Sequence, residues 1–342
     1  MLNSEGGLSM FTVGKKLLGV LACVLILASG AKAAEKTRVD IISTPFGTAS
    51  YVIGSAFETI VNKNDYSFTI NHTETPGQAF NITKLNKDKN ARKNTICVAG
   101  GAINWLAKRG ETPFKQKMES MRPIATYNIG AIWLVTQKKE LGNIEALRGK
   151  GIALGRLPQV LWGYEPKALL EHGYPEDFAK SLKLQLVGTK DAATAFLNNQ
   201  VDVCAIGGYL SPDNALFEPS PQTVEILASG RTLYHIDWGK EPIEKTAKVD
   251  VPMIPFQLAA GTVAGMDKPI WVFTDVQTFC VHSEFPEELA YQVTKAFIDH
   301  VSDFAQYHAL GKLMTRKGLV FGIDPKEMHP GALRAYKEAG LL

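Results

Sequence analysis

RVDIISTPFGTASYVIGSAFETIVNK, residues 38–63, is the stretch that decides the fold. Its short β-branched start predicts a buried strand, and after the turn residues 45–48 the apolar side chains recur at the spacing of an amphipathic helix from Ala49 onward. Thr48 or Ser50 would cap that helix. A glycine turn between a strand and a helix leaves backbone N–H groups at the loop, where the helix dipole favours an anion. Many α/β proteins begin in this way and bind nothing there, so the motif alone leaves an anion site open.

This strand–loop–helix order occurs a second time along the chain. TICVAGG at 95–101 and VDVCAIGG at 201–208 are similar, and each follows its own strand–loop–helix unit by about 50 residues. The second unit begins with a strand at 151–155 and a loop at 156–159. Two α/β units with the same internal order predict two similar lobes rather than one long sheet. Because open sheets bind ligands at the carboxyl ends of their strands, the first loop and the Gly-Gly of each lobe should face one cleft.

The same periodicities predict the remaining elements. The further strands are 66–72, 124–136, 182–187 and 270–281, and the helices are 79–85, a helix that contains 168–170, 191–198, a helix from Pro286 and a short terminal helix after 330–331. Prolines are concentrated at 212–221 and recur at Pro242, Pro252 and Pro255, so this part is predicted to be rich in loops.

The N-terminus has the three parts of a secretory signal peptide. Two lysines precede the apolar run 17–28, and AKA at 31–33 provides the small-residue cleavage pattern. The predicted signal peptide is residues 1–33, and the mature chain is expected to begin near Ala34 in the periplasm. The apolar run is too short for a comfortable membrane span. Cys23 follows a weak lipobox, but the apolar run continues past it, so soluble export is favoured over lipidation.

Charge and cysteine usage exclude several function classes. Without residues 1–33, which hold three lysines and one glutamate, the net charge of +3 would fall to +1. A nearly neutral protein has no electrostatic case for binding nucleic acid or an anionic membrane surface. Cys97, Cys204 and Cys280 each lie in an apolar run typical of a strand, so buried thiols are expected rather than a disulfide framework.

No pattern typical of a catalyst or a metal site stands out. The seven histidines lack the spacing of metal ligands, and no serine lies in a G-x-S-x-G elbow. No two carboxylates are recognisably placed for acid–base work. The sequence therefore favours a binding protein without metal or cofactor over an enzyme.

Four motifs resemble the TAXI-type solute-binding proteins of TRAP transporters. They are GTASYVIG at 47–54, MRPIA at 121–125, LRGKGIALG at 147–155 and HPGALRAYKEAG at 329–340. The likeness extends over residues 38–341. It implies an α/β, two-lobed type II periplasmic solute-binding fold with a ligand cleft between the lobes. Lobe I would comprise residues 34–126 and 271–342, and lobe II residues 127–270.

By this resemblance the chain is a monomer that captures a small organic solute, expected to contain a carboxylate, and delivers it to the membrane subunits of a sodium-coupled TRAP permease. An ABC-transporter receptor is one alternative, which the C-terminal motif disfavours. An enzyme on the same two-lobed fold is another, since such folds also host catalysis. Residues 76–78 and 156–162 differ from the family pattern and lie in the predicted cleft, so the ligand class is left open.

The expected contact residues lie on the loops and strand ends that face the cleft. They are Gly47, Thr48, Ala49, Tyr51, Gln78, Gly100 and Gly101 from lobe I, and Arg156, Gln159, Trp162 and Tyr209 from lobe II. Thr48 and the neighbouring N–H groups would bind a carboxylate, which Arg156 could clamp with two hydrogen bonds. Trp162 and Tyr51 would enclose the carbon skeleton.

Overall fold

Strands and helices alternate along the chain, which the computed structural model describes over residues 36–46, 48–119, 121–211 and 216–342. The strands are β1 (Thr37–Ile42), β2 (Phe68–Thr73), β3 (Thr95–Gly100), β4 (Arg122–Thr136), β5 (Gly151–Leu154), β6 (Lys183–Leu186), β7 (Val203–Leu210), β8 (Phe217–Pro219), β9 (Tyr234–Ile236), β10 (Ile254–Leu258) and β11 (Ile270–Val281). The predicted signal peptide lies outside the described residues. The chain from Arg38 to Leu342 belongs to one compact unit.

The helices follow the strands in the order expected of crossover connections. They are α1 (Ala49–Lys63), α2 (Gln78–Lys87), α3 (Gly101–Arg109), α4 (Tyr164–Ala168), α5 (Glu176–Ser181), α6 (Thr189–Leu197), α7 (Pro221–Ala228), α8 (Lys240–Val249), α9 (Glu287–His300) and α10 (Pro330–Glu338). A π-helical turn at Leu169–Gly173 continues α4. Short 3₁₀ segments lie at Ala91–Lys93, Lys139–Leu141, Ile144–Leu147, Val301–Gln306, Ala309–Leu313 and Gly318–Val320. Within the described ranges, no helix has the length and apolar character needed to span a bilayer.

All of these strands belong to one mixed sheet. Its main path runs β2-β1-β3-β11-β4-β7-β5-β6, while β10, β8 and β9 pair with β11, β7 and β4. β1 and β3 are parallel, and β5 is parallel to both β6 and β7. β11 is antiparallel to β3 and to β4, and β4 is antiparallel to β7. The expectation that the lobes would not share a sheet is therefore wrong, because hydrogen bonds run without a break through β11 and β4.

The predicted internal repeat is confirmed by this strand order. In the first half the order β2-β1-β3 is followed by the long antiparallel strand β11. In the second half β6-β5-β7 is followed by the long antiparallel strand β4. The strands β3 and β7, which carry the two similar Gly-Gly motifs, hold equivalent places and lie next to the two long central strands. The prediction that each strand ends in Gly-Gly is wrong, because Gly101 begins α3 and β7 continues past Gly208 to Leu210.

Each half buries its own apolar cluster. In the first, the rings of Phe57 and Phe297 stack at 3.7 Å between centroids, and Phe279 of β11 packs on Phe297 at 5.1 Å. In the second, Trp133 and Trp238 are both fully buried. β4 and β11 contribute to both clusters, so these two strands connect the halves. The predicted lobe boundaries stay a prediction.

The stretch 212–255 is not as rich in loops as predicted, because it contains α7, α8 and three short strands. Its prolines occupy places that helices and strands tolerate. Pro221 is the first residue of α7 after the N-cap Ser220, and Pro242 lies in the first turn of α8, where an N–H would have no helical partner. Pro255 lies on β10, which pairs with β11.

Candidate functional site

A cavity of about 560 Å³ lies between the two halves. Its walls come from the N-terminal ends of α1 and α2 on one side and from residues 158–162 and β7 on the other. β4 and β11 provide the remaining wall through residues 127–128, 275 and 277. The cavity therefore lies where the sequence predicts the cleft, at the carboxyl ends of strands in both halves.

Six predicted contact residues line this cavity. They are Thr48, Ala49, Gln78, Gln159, Trp162 and Tyr209. Tyr51 is not among the lining residues, because its ring packs against Phe46 and His72 at centroid distances of 5.0 and 4.9 Å. Gly101 lines a smaller cavity instead, and Gly47 lies outside the described residues.

Arg156 does not line the cavity either, contrary to the expected clamp. Its side chain is 66% exposed, and its Nη2 lies 3.6 Å from Oδ2 of Asp191 in the first turn of α6. A Cβ at position 188 would lie 3.0 Å from Oδ2 of Asp191, so Gly188 leaves room for the carboxylate that pairs with the guanidinium group. The backbone N–H of Arg156 donates to Oε1 of Gln159 at 3.1 Å. The loop therefore presents Gln159 to the cavity, while the arginine pairs at the surface.

Hydroxyl groups cluster at the N-terminus of α1. Thr48 is the N-cap, as predicted, and its Oγ1 accepts a hydrogen bond from the Tyr51 N–H at 3.4 Å. Oγ1 of Thr44 lies 2.6 Å from Oγ1 of Thr48 and also contacts the hydroxyl of Ser50. All three hydroxyl-bearing residues line the cavity. Together with the first-turn amides of this 15-residue helix, they form a region that favours negative charge.

A chain of hydrogen bonds connects α2 to β11. The Gly100 N–H donates to Oε1 of Gln78 at 2.7 Å, and Nε2 of Gln78 donates to Oε1 of Gln277 at 2.6 Å. Nε2 of Gln277 then donates to Oδ2 of Asp275 at 2.7 Å. A Cβ at position 100 would come within 2.6 Å of Nε2 of Gln277 and 2.8 Å of Oδ2 of Asp275. Gly100 therefore makes room for this network and does not itself line the cavity.

Asp275 is the buried end of the network. It is 4% exposed, and its Oδ1 accepts a hydrogen bond from the N–H of Ala102 in the first turn of α3 at 3.3 Å. Burial raises the pKa of Asp275 to about 7, against the lowering effect of the hydrogen bonds from Ala102, Gly101 and Gln277. Among the described lining residues, Asp275 is the one acidic residue, and none is basic.

A second buried carboxyl lies near the cavity. Glu165 of α4 is fully buried, and neither of its oxygens has a hydrogen-bond partner among the described residues. Burial, together with the charge of Asp275, raises the pKa of Glu165 well above its usual value, which favours its protonated form. Across the described part of the chain, no group of His, Cys, Asp and Glu is arranged to hold a metal ion.

A sequence model of one protein family covers most of the chain. The NMT1-like family model matches residues 41–340. The chain belongs to the NMT1-like family. No curated protein matches the sequence of this NMT1-like protein significantly.

Solved structures show the fold of the NMT1-like protein. A TctC solute binding protein from Polaromonas, without ligand, matches with a TM-score of 0.51 and 13% identity over 83% of this chain and 89% of that chain. The predicted two-lobed type II fold is confirmed. MatC from Rhodopseudomonas palustris with bound malate has a TM-score of 0.46 and 14% identity over 89% and 96% of the two chains. The aliphatic sulphonate binding protein SsuA from Escherichia coli has a TM-score of 0.44 and 13% identity over 88% and 83%.

The NMT1-like protein has a smaller cavity of about 280 Å³ between α3, β11 and residues 322–327. Asp275 lines both this cavity and the larger one, and Trp105 of α3 lines the smaller one. The smaller cavity contains one of the predicted contact residues, Gly101, whereas the larger contains six. The larger cavity is therefore the better candidate for the functional site.

Sequence reasoning missed six polar residues among those described in the lining of the main cavity: Thr44, Ser50, Tyr127, Asn128, Asp275 and Gln277. Asn128 lies on β4, and Asp275 and Gln277 lie on β11, within long apolar runs that were predicted to be strands. The available signal was their polarity. Asp275 and Gln277 are two residues apart and therefore share one face of an otherwise apolar strand.

Proposed function

We propose that this NMT1-like protein is a periplasmic solute-binding protein that captures one small organic solute and delivers it to a membrane permease. The supporting observation is the cavity of about 560 Å³, which both halves line and which lies beside the two strands that connect them. Its volume falls within the range of about 300–1,000 Å³ typical of small-molecule sites. The periplasmic location rests on the predicted signal peptide, residues 1–33.

We propose further that the solute carries a carboxylate, bound at the N-terminus of α1. The hydroxyls of Thr44 and Ser50 can turn toward an anion as donors, whereas the Thr48 hydroxyl donates to the Pro45 carbonyl at 2.7 Å. Thr48 caps the Tyr51 N–H, and the N–H groups of Ala49 and Ser50 precede the first backbone hydrogen bond of the helix. The helix dipole adds a favourable charge interaction. Since no basic residue is among the described lining residues, this helix end would replace the arginine clamp.

Aromatic side chains would enclose the carbon skeleton of the solute. Trp162 and Tyr209 line the cavity from the second half, and Phe80 of α2 lines it from the first. Phe80 is 47% exposed, which places part of its ring at the surface. An apolar enclosure with a few fixed polar groups is the usual composition of a small-molecule site.

The partner is proposed to be a sodium-coupled TRAP permease of the TAXI type, on the basis of the four resembling motifs. An ABC transporter is the alternative, because its receptors can share this fold. Uptake into right-side-out membrane vesicles that contain the permease distinguishes the two. Uptake that requires the protein and an imposed sodium gradient supports the proposal, whereas uptake that requires internal ATP contradicts it.

A thermal-shift screen of residues 34–342 tests the binding function. Organic acids, their monoamides and amino acids are the compounds to screen. A solute at 100 times its Kd should stabilise the folded protein by ~2.7 kcal/mol. Calorimetric titration of each hit should then give one solute per chain. If no compound raises the midpoint of unfolding, the proposed binding function is wrong.

A further inference from the structure

Asn128 is a buried amide without a hydrogen-bond partner. It lies on β4 and is 4% exposed, and neither Nδ2 nor Oδ1 has a partner among the described residues. A buried polar group that lacks a partner destabilises the folded protein, so such groups are rare in native structures. Asn128 is also part of the wall of the main cavity. An unsatisfied amide at this place suggests that its partner is a solute.

The sheet register places Asn128 beside the polar network. Asn128 and Gln277 are directly opposite each other on β4 and β11. Directly opposite residues in an antiparallel pair share one face of the sheet, so both amides and Asp275 face the same side. The amide of Gln277 is already used, because it accepts from Gln78 and donates to Asp275. Of these two neighbouring amides, Asn128 is the one whose donor and acceptor are both unpaired among the described residues.

A buried water is the structural alternative. Asn128 also borders a void of about 10 Å³, which has room for about one water molecule. Such a water needs two to four polar partners. Leu210, Leu313 and Met314 on the wall of this void are apolar, and the hydroxyl of Thr126 already donates to the Phe321 carbonyl at 3.0 Å. Tyr127 provides the one other hydroxyl among the described residues that border the void. The void is therefore a poorer source of partners than the cavity.

We propose that Asn128 determines specificity, and that the solute presents to it an uncharged group with one donor and one acceptor, such as a carboxamide. This inference rests on the proposed solute-binding function. Oδ1 of Asn128 needs a donor and Nδ2 needs an acceptor, and a carboxamide supplies both. A carboxylate supplies acceptors alone, would leave Oδ1 unpaired and would add a negative charge near Asp275. The solute would then be an organic acid that carries an amide, with its carboxylate at α1 and its amide at β4.

Two matched leucine variants test whether Asn128 is structural or reserved for a solute. Asn128→Leu replaces the unsatisfied amide with an apolar side chain of the same heavy-atom branching, so the Tm of the ligand-free protein should stay within about 1 °C or rise. Asn81→Leu is the control. That amide is also fully buried, but it donates to the Ser43 carbonyl at 2.8 Å and accepts from Thr75 at 2.7 Å, so its loss should lower Tm by several degrees. A fall in Tm for Asn128→Leu like that of the control would overturn the proposal.

Paired probes test the amide preference directly. Succinate and succinamate, and glutarate and glutaramate, are titrated calorimetrically into the wild type and Asn128→Leu. The monoamide should bind the wild type at least tenfold more tightly than the dicarboxylate, and this preference should fall below threefold in Asn128→Leu. A dicarboxylate that binds as tightly as its monoamide, or a preference that survives in the variant, overturns this inference and leaves the solute-binding function intact. If neither these probes nor any screened compound binds, both proposals fail.

Discussion

A few polar side chains give the cavity its chemical character. The α1 end offers hydroxyl and amide donors, while the wall formed by β4 and β11 offers amides and one carboxyl. Asp275 is surrounded by the N–H groups of α3 and by Gln277, yet burial has the larger effect on its pKa. The electrostatics of the cavity therefore depend on whether this carboxyl is protonated.

The pH dependence of stability should report on Asp275. Its pKa is about 7 in the folded protein and 3.8 for an ordinary aspartate. Between these values the folded protein keeps a proton that the unfolded chain releases, so the free energy of unfolding should fall as pH rises from about 4 to about 7. Asp275→Asn resembles the protonated acid, so its Tm should fall less than that of the wild type between pH 4 and pH 8. Asp191→Asn, at an exposed carboxyl, is the control, and parallel curves for Asp275→Asn and wild type would contradict the assignment.

Variants at Gln78 and Arg156 compare the effect on solute binding of a residue in the cavity wall with that of a surface residue. Gln78 lines the cavity and connects Gly100 to Gln277, so Gln78→Ala should weaken solute binding at least tenfold, or about 1.4 kcal/mol. Arg156 pairs with Asp191 at the surface, so Arg156→Ala should change affinity less than twofold. The measurement is calorimetric titration with a solute found in the screen. A large loss of affinity in Arg156→Ala, with little change in Gln78→Ala, would contradict this prediction and support the arginine clamp.

At the scale of elements, the periodicity of the sequence predicted the strands of the main sheet path and most of the crossover helices, but it missed the short strands β8, β9 and β10 and the short helix α5. It missed α3, because Gly100 and Gly101 were interpreted as the end of a strand, whereas Gly101 is the first residue of a helix. It missed α7 and α8 because their prolines lie in first turns, which an isolated proline does not reveal. The contacts of Asn128 with β11 could not be predicted, since the register between strands so distant in sequence depends on tertiary packing.

The three cysteines test the placement of β3, β7 and β11. Cys97, Cys204 and Cys280 are free and almost fully buried, and burial raises the pKa of Cys204 and Cys280 to about 12. Thiolate is the reactive form, so all three should resist a thiol reagent at pH 8 until denaturant is added. Phe46→Cys is a suitable reactive control, since position 46 is 77% exposed. Labelling of any native cysteine as fast as this control would mean that its strand is misplaced.

For the whole molecule, two repeated halves with separate apolar clusters share one sheet through β4 and β11. The loops that follow the first strand of each half line one cavity, as the sequence predicted, whereas neither Gly-Gly pair lines it. The sequence could not decide which side chains enter that cavity. The side chain of Arg156 pairs with Asp191, and the ring of Tyr51 packs against Phe46 and His72. The order of residues along the chain does not reveal these contacts.

The central claim is that the cavity between the halves, and not the smaller one beside α3, holds the solute. Trp162 lines the larger cavity and Trp105 the smaller, and both are half-buried. Calorimetric titration of wild type, Trp162→Ala and Trp105→Ala with the best solute from the screen is the most direct test. We expect one solute per chain, affinity at least tenfold weaker in Trp162→Ala, and affinity within twofold of wild type in Trp105→Ala. Weakened binding in Trp105→Ala alone would place the solute in the smaller cavity and contradict the claim.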